Sequence, residues 1–287
     1  MSDDDHVYLS LAEAEGHPGG EARWAFGTGF EDPLHGVDTA VPAGIDAAEL
    51  AGCCLALGDD ALVSAQRLAE WCTRAPELEE EMALANIGLD LLGQARLLYA
   101  RAGQADGTGR DEDAYAYFRD ADDFRSVRLA ELPNGDFAFS TVRLLVLSCW
   151  RLAHFDRLAA SADPVLAAIA AKGVKELTYH RQFAAEWAVR LGDGTEESHH
   201  RMRAALDRVA PYLDELFAAR PGFGVDPAAI RDEVTAVLRQ VLDAAGLPLP
   251  EAAALPGHGR AGDHTEYLAP LLAELQSVAR AHPGATW

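Results

Sequence analysis

One segment, residues 78–98, restricts this chain to a helical fold more strongly than any other part of the sequence. Its apolar residues form two interlocking series whose members are four and three residues apart. The first series is Leu78, Met82, Ala85, Leu89 and Leu92, and the second is Leu84, Gly88, Leu91, Ala95 and Leu98. Such spacings place residues on one side of an α-helix, whereas a half-buried strand alternates every second residue. The two stripes together are wider than one bundle seam needs. They predict a helix that is central to its own bundle or buried against another subunit.

The rest of the chain also shows helical spacing, and strand-like alternation is nearly absent. Long helices are predicted at about 48–73, 77–102, 137–160 and 164–191, followed by three shorter ones. Asp163 and Pro164 supply an N-cap and a first-turn proline for the fourth helix. These patterns predict an all-α helical bundle over residues 46–287.

Composition limits the remaining classes of function. Residues 1–45 are rich in Gly, Asp and Glu and lack apolar periodicity, which predicts a disordered or loosely docked extension. No apolar run approaches 18 residues, and residues 1–6 are acidic where a secretory signal is basic, so we expect a cytoplasmic protein that does not enter a membrane. A net charge of −22 argues against binding to nucleic acid.

The most informative polar residues are Lys172, Glu176 and His180 on the fourth helix. They are four residues apart and therefore line one face, and Ile169 and Phe183 lie on nearly the same stripe. The pattern predicts that this face is buried. A lysine, a carboxylate and an imidazole are costly in apolar surroundings unless they satisfy one another or hold a metal. The choice between these arrangements separates an oxygenase from a non-catalytic relative.

The ligand set needed for a di-iron centre is incomplete. Di-iron bundles use a Glu from each of two helices and a Glu-x-x-His motif from each of the other two. Here Glu176 and His180 are four residues apart, and no histidine lies between His35 and His154. The interior polar candidates on the other long helices are Gln66 on the first, Asn86 and Asp90 on the second, and Ser148 on the third.

The favoured interpretation is therefore an internal network of salt bridges and hydrogen bonds, with no catalytic, cofactor-binding or metal-binding residue. Two alternatives stay open. Asp90, Glu176 and His180 could hold one divalent ion, which would make the chain a metal-dependent oxygenase in its own right. The chain could also be a free-standing helical binding protein. Two Glu-x-x-His matches, beginning at Glu196 and Glu197, fall in a first helical turn and are interpreted as a solvent-exposed helix start.

Several segments resemble one protein family, the C subunits (PaaC) of bacterial phenylacetyl-CoA epoxidases. The resemblance covers most of residues 50–287 and leaves residues 1–45 out. Its most specific segment is LANIGLDLLGQAR at 84–96. The others are EWCTRAPEL at 70–78, LPNGDFA at 132–138, Lys175-Glu176, Tyr179-His180, RLGDGT at 190–195, His264-Thr265-Glu266, and the end of the chain from Pro283-Gly284 to Trp287.

The resemblance implies a ferritin-like four-helix bundle with additional C-terminal helices. It also implies a non-catalytic structural subunit of a phenylacetyl-CoA 1,2-epoxidase, which uses oxygen and NADPH in aerobic phenylacetate catabolism. The implied partners are a catalytic A subunit, a B subunit and a ferredoxin-type reductase; self-association also stays open. We expect no cofactor in this chain and a di-iron centre in the A subunit. The expected degenerate di-iron region consists of Gln66, Asn86, Asp90, Ser148, Lys172, Glu176 and His180.

Overall fold

The structure is a computed structural model that describes residues 34, 36–218 and 225–285. Within these ranges the regular secondary structure is helical and no strand occurs, which confirms the all-α prediction. Residues 1–33 and 35 of the predicted extension lie outside the described residues, and residues 36–45 contain turns but no helix. None of the described helices combines the length and the apolarity that crossing a membrane requires.

Four long helices form the body of the fold. They are α1 (Ala47–Ala69), α2 (Leu78–Ala105), α5 (Phe137–Leu158) and α6 (Pro164–Gly192). Between the two pairs lie the short helices α3 (Glu112–Tyr117) and α4 (Arg128–Glu131), and after them come α7 (Glu196–Val209), α8 (Arg231–Ala244) and α9 (Leu268–Ala281). Helix α1 packs along α2, α5 packs along α6, and α2 meets α6. This is the four-helix bundle with C-terminal helices that was expected.

Capping residues explain why the observed helix starts lie close to the predicted ones. The side chain of Asp46 accepts hydrogen bonds from backbone N–H groups at the start of α1, at 2.9 and 3.1 Å. Asp136 caps α5 through the N–H of Phe139 at 2.9 Å, and Asp163 caps α6 through that of Leu166 at 2.8 Å. Each cap satisfies a donor that has no partner within its helix.

Helix α5, rather than α2, is the central helix of the bundle. Every residue from 138 to 155 is buried, so α5 is enclosed on all sides. On α2 the second apolar series faces α1 and the core, with Leu84, Leu91 and Leu98 buried. The first series lies on the outside of the bundle. Its exposed members, called here the α2 stripe, are Leu78, Met82, Leu89 and Leu92, which are 67, 59, 65 and 38% exposed.

Buried carboxylates fasten the connecting segments to the bundle. Asp59 of α1 accepts a hydrogen bond from the Tyr99 hydroxyl at 2.6 Å and another from the Arg125 backbone N–H at 2.7 Å. Its neighbour Asp60 pairs with Arg260 at 2.6 Å and accepts from the Val127 N–H at 2.8 Å. The middle of α1 therefore holds two segments: the connection between α2 and α5, and the loop before α9.

A third buried carboxylate, Glu131 of α4, holds the same loop further along. It lies 2.7 Å from Nδ1 of His264 and accepts hydrogen bonds from the backbone N–H and hydroxyl of Thr265 at 2.7 and 2.8 Å. The other ring nitrogen of His264 contacts the carbonyl oxygen of Phe124 at 2.9 Å. Burial alone lowers the pKa of His264, but the hydrogen bond to Glu131 and the charge of Glu131 together raise this pKa above its usual value.

The buried pair of Arg101 and Asp163 provides a test of these internal charges. Both side chains are fully enclosed. The substitution Asp163→Asn keeps an oxygen that can cap α6 but removes the charge opposite Arg101. Because the guanidinium would stay buried without a counter-charge, we expect the free energy of unfolding to fall by about 3–5 kcal/mol.

Urea denaturation measures this loss. The matched control is Glu197→Gln, which removes the charge from the exposed pair with Arg201 and should cost less than about 1 kcal/mol. Equal losses in the two variants would contradict the assigned role of the buried pair.

The His264–Glu131 contact predicts a specific dependence of stability on pH. Because folding raises the pKa of His264, its contribution is fully present below the unfolded value of about 6.5 and is lost as the pH rises through the higher folded value. The unfolding free energy of the wild type minus that of His264→Asn should therefore be largest below about pH 6 and shrink above about pH 6.5. Denaturation series on both proteins check this, and a difference that grows with pH would refute it.

Candidate functional site

The four long helices line a small cavity at the place where di-iron bundles gather their ligands. It has a volume of about 20 Å³, and residues of α1, α2, α5 and α6 line it. Two arginines, Arg143 and Arg151, are among the lining residues, and no described carboxylate is. The full lining consists of Ser64, Leu68, Leu91, Ser140, Arg143, Leu144, Leu147, Ser148, Arg151, Leu177 and His180.

Arg151 is the side chain that joins the helices around this cavity. It is 2% exposed. Its guanidinium donates to the carbonyl oxygen of Leu57 on α1 at 3.2 Å and to Oε1 of Gln94 on α2 at 2.8 Å. Nη1 also lies 3.8 Å from the carboxylate of Asp60. Burial lowers the pKa of Arg151 to about 10, an effect that Asp60 opposes, so the group remains a cation at neutral pH.

Gln94 extends the network from Arg151 to the fourth long helix. Its Nε2 donates to Oε2 of Glu176 at 2.9 Å, while the other oxygen of Glu176 accepts from the ammonium group of Lys172. The side chain of Glu176 is 14% exposed and that of Lys172 is 37% exposed. The prediction that the whole triplet is buried is therefore wrong at Lys172, whose long stem brings the ammonium group to the edge of the bundle.

His180, the third member of the triplet, is fully buried and pairs with α2. Its Nε2 lies 3.0 Å from Oδ2 of Asp90, a side chain that is 38% exposed. Asp90 and His180 therefore bind each other, whereas Glu176 binds Lys172 and Gln94. Over the described ranges, no group of three or more His, Cys, Asp or Glu residues is arranged to hold a metal ion.

The remaining expected members of the degenerate region are dispersed. Ser148 lines the cavity, as does His180. Gln66 is half-buried on α1 and is not part of the lining. Asn86 is exposed, so its predicted interior position is wrong. It is four residues from Met82 and three from Leu89, and it therefore shares the outer face of α2 with the α2 stripe.

The most important residues of the network were not identified from the sequence. They are Asp60, Gln94, Arg151 and Arg260. Two of them, Asp60 and Arg151, can be recognised in the sequence as charged residues within apolar runs. Asp60 and its neighbour interrupt the otherwise apolar run LALGDDALV of α1, and Arg151 lies in the apolar stripe of α5. Charged residues inside such runs must find buried partners, but the sequence does not say which ones.

The residues around this cavity do not fit a di-iron centre. Two iron ions need about four carboxylates and two imidazoles directed at them. Here a guanidinium cation lines the cavity, and the nearby carboxylates Asp60 and Glu176 already accept hydrogen bonds from Arg260, Lys172 and Gln94. A buried cation repels a metal cation at short range. The arrangement is suited to holding helices together.

Comparison with known proteins identifies relatives of this chain. The sequence model of a family described as "Phenylacetic acid catabolic protein" matches residues 38–287. A curated relative, the C subunit of the 1,2-phenylacetyl-CoA epoxidase of Escherichia coli (strain K12), is 44% identical over 241 residues. The match covers 81% of this chain and 97% of that protein. On the extent of both matches, this chain belongs to the phenylacetic acid catabolic protein family.

Proposed function

We propose that this chain is the non-catalytic structural C subunit of a phenylacetyl-CoA 1,2-epoxidase in the phenylacetate catabolism of the cytoplasm. In this role it pairs with a catalytic A subunit that holds the di-iron centre, and it acts together with a B subunit and a ferredoxin-type reductase. The identity of 44% to the E. coli protein supports the choice of complex. The observation that carries the non-catalytic role is Arg151, a cation that lines the cavity where a catalytic relative would need carboxylates.

The contribution of this chain is a rigid bundle. In a di-iron protein, metal ions connect the four helices; here hydrogen bonds made by Arg151 connect α5 to α1 and α2, and one made by Gln94 connects α2 to α6. Activation of oxygen is the chemistry that the di-iron centre of the A subunit supplies. The side chains of this chain hold the surface on which that subunit is positioned.

The α2 stripe is the surface that supports pairing with another subunit. Its four large apolar side chains lie on one face of one helix. Tyr179, which is 48% exposed on the neighbouring helix α6, adds an aromatic ring that suits an interface. Contiguous exposed apolar surface of this kind marks sites of protein association.

Charge distinguishes a different subunit from a second copy of this chain. Glu79 is exposed and Glu81 half-exposed beside the α2 stripe, and the whole chain carries a net charge of −22. Two copies that met through this face would bring like charges together, which costs free energy. A less acidic partner avoids that cost.

The first test of the proposal concerns metal content. Because the cavity lining provides a guanidinium and no carboxylate, we expect the purified chain to contain far less than one iron per molecule after iron-replete expression. The A subunit prepared in the same way is the positive control. Elemental analysis that finds about two irons per chain would refute the non-catalytic role.

The second test concerns the α2 stripe. The double substitution of Met82→Glu and Leu89→Glu places two charges on the proposed interface. We expect co-purification with the A subunit to fall on the order of 10-fold or more, because burying unpaired charges is costly. Epoxidation of phenylacetyl-CoA by the reconstituted complex should fall in parallel, while the helical content of the variant stays unchanged.

The matched control is Val278→Glu, because Val278 is also exposed, at 55%, but lies on the C-terminal helix α9. It should leave assembly and turnover unchanged. Normal assembly of the stripe variant would show that the partner binds elsewhere. Full turnover by the A and B subunits and the reductase without this chain would refute the structural role altogether.

A further inference from the structure

Three buried polar atoms on residues that line the central cavity have no hydrogen-bond partner among the described residues. They are Oγ of Ser64, Nε of Arg151 and Nδ1 of His180. The side chains of Arg151 and His180 are 2 and 0% exposed. Buried polar groups in folded proteins are almost always paired, either with protein atoms or with ordered water. Three such atoms, on residues of α1, α5 and α6 that line one cavity, therefore point to a common ligand.

The volume of the cavity restricts this ligand to a very small molecule. About 20 Å³ exceeds the roughly 10–15 Å³ that one water molecule requires. It is far too small for an organic substrate or for a metal ion that retains a hydration shell.

The donor and acceptor roles of the three atoms restrict the choice of ligand further. The Asp90 carboxylate, which is 3.0 Å from Nε2 of His180, can only accept, so Nε2 carries the proton. The ligand proposed below pairs with the neutral form of this imidazole, in which Nδ1 is then an acceptor. Nε of Arg151 can only donate, and the hydroxyl of Ser64 can do either.

One water molecule satisfies this set of one donor, one acceptor and one group that can be either. It accepts from Arg151, donates to His180 and completes a third hydrogen bond with Ser64, which is the usual number for a buried water. A chloride ion would face the lone pair of Nδ1. A metal cation would face the N–H of Arg151.

We propose that the central cavity is a binding site for a single ordered water molecule, held by Ser64, Arg151 and His180. The water joins the Asp90–His180 pair to the Arg151 network. One continuous chain of hydrogen bonds then runs from Asp90 through His180, the water, Arg151 and Gln94 to Glu176. This inference does not depend on the identity of the partner subunits or on the proposed function.

The direct test is a crystal structure of the full chain, alone or in its complex, at about 1.5 Å. We expect a single density peak about 2.6–3.2 Å from both Nε of Arg151 and Nδ1 of His180. Crystals soaked in bromide and in Mn²⁺ should show no anomalous peak there. An empty cavity, or an anomalous peak from either ion, would overturn the proposal.

A pair of substitutions tests the site in solution. Both Ser64→Ala and Ser64→Val remove the hydroxyl, but only valine fills the cavity. If a water is bound, alanine leaves it with two partners, whereas valine expels it and leaves Arg151 and His180 unpaired. The Tm of Ser64→Val should then lie below that of Ser64→Ala by about 3 °C or more. If the cavity is dry, valine fills a void and its Tm should be the higher one.

The difference in helix propensity between valine and alanine is measured separately. Gln66 lies on the same helix but outside the cavity lining, so the pair Gln66→Ala and Gln66→Val gives the correction. A corrected Tm of Ser64→Val equal to or above that of Ser64→Ala would rule out the bound water.

Discussion

The positive charge of Arg151, enclosed at the centre of the bundle, is the constraint on which the rest of the structure depends. A buried guanidinium is stable only when its donors are occupied and a negative charge lies near. Gln94 and the carbonyl of Leu57 occupy donors, and Asp60 supplies the charge. Asp60 in turn also pairs with Arg260, a residue of the loop before the last helix. The centre of the bundle and a loop 200 residues away in sequence thus form one electrostatic unit.

This arrangement explains how a bundle of this architecture can be stable without metal ligands. A planar guanidinium with five fixed donors can contact several helices at once, as a metal ion does, but it requires acceptors where a metal requires free carboxylates. Once Glu176 accepts from Lys172 and Gln94, it no longer offers a free ligand. The same bonds that stabilise the helices therefore oppose a metal centre.

Local signals made much of the fold predictable. The heptad spacing of α2 and the capping side chain of Asp163 act within one or two helical turns, so the sequence alone located α2 and α6. Prediction failed where the answer depends on distant partners. Both stripes of α2 are apolar, and the packing of α1 and α6 against this helix decides which of them is buried. The length of its stem let Lys172 reach the edge of the bundle, although its register matches that of buried His180.

At the candidate site, too, local signals were readable from the sequence and contacts with distant residues were not. Ser148 and His180 were identified because they lie in an apolar stripe, and both line the cavity. Arg151 lies in such a stripe as well, but its significance comes from Asp60, which is on another helix and far away in sequence. A single sequence contains no record of that pairing. The buried arginines of this chain consequently became visible only with the tertiary structure.

Because the α2 stripe is exposed, the large negative charge of the chain also opposes self-association. Four apolar side chains on one helix would draw copies of the chain together while they stay uncovered. A net charge of −22 opposes such contacts through mutual repulsion. Dissolved salt weakens this repulsion over distances beyond about 8 Å at physiological ionic strength, but it leaves the hydrophobic attraction in place. The chain on its own is thus protected by a long-range force, and its tendency to aggregate depends on the ionic strength around it.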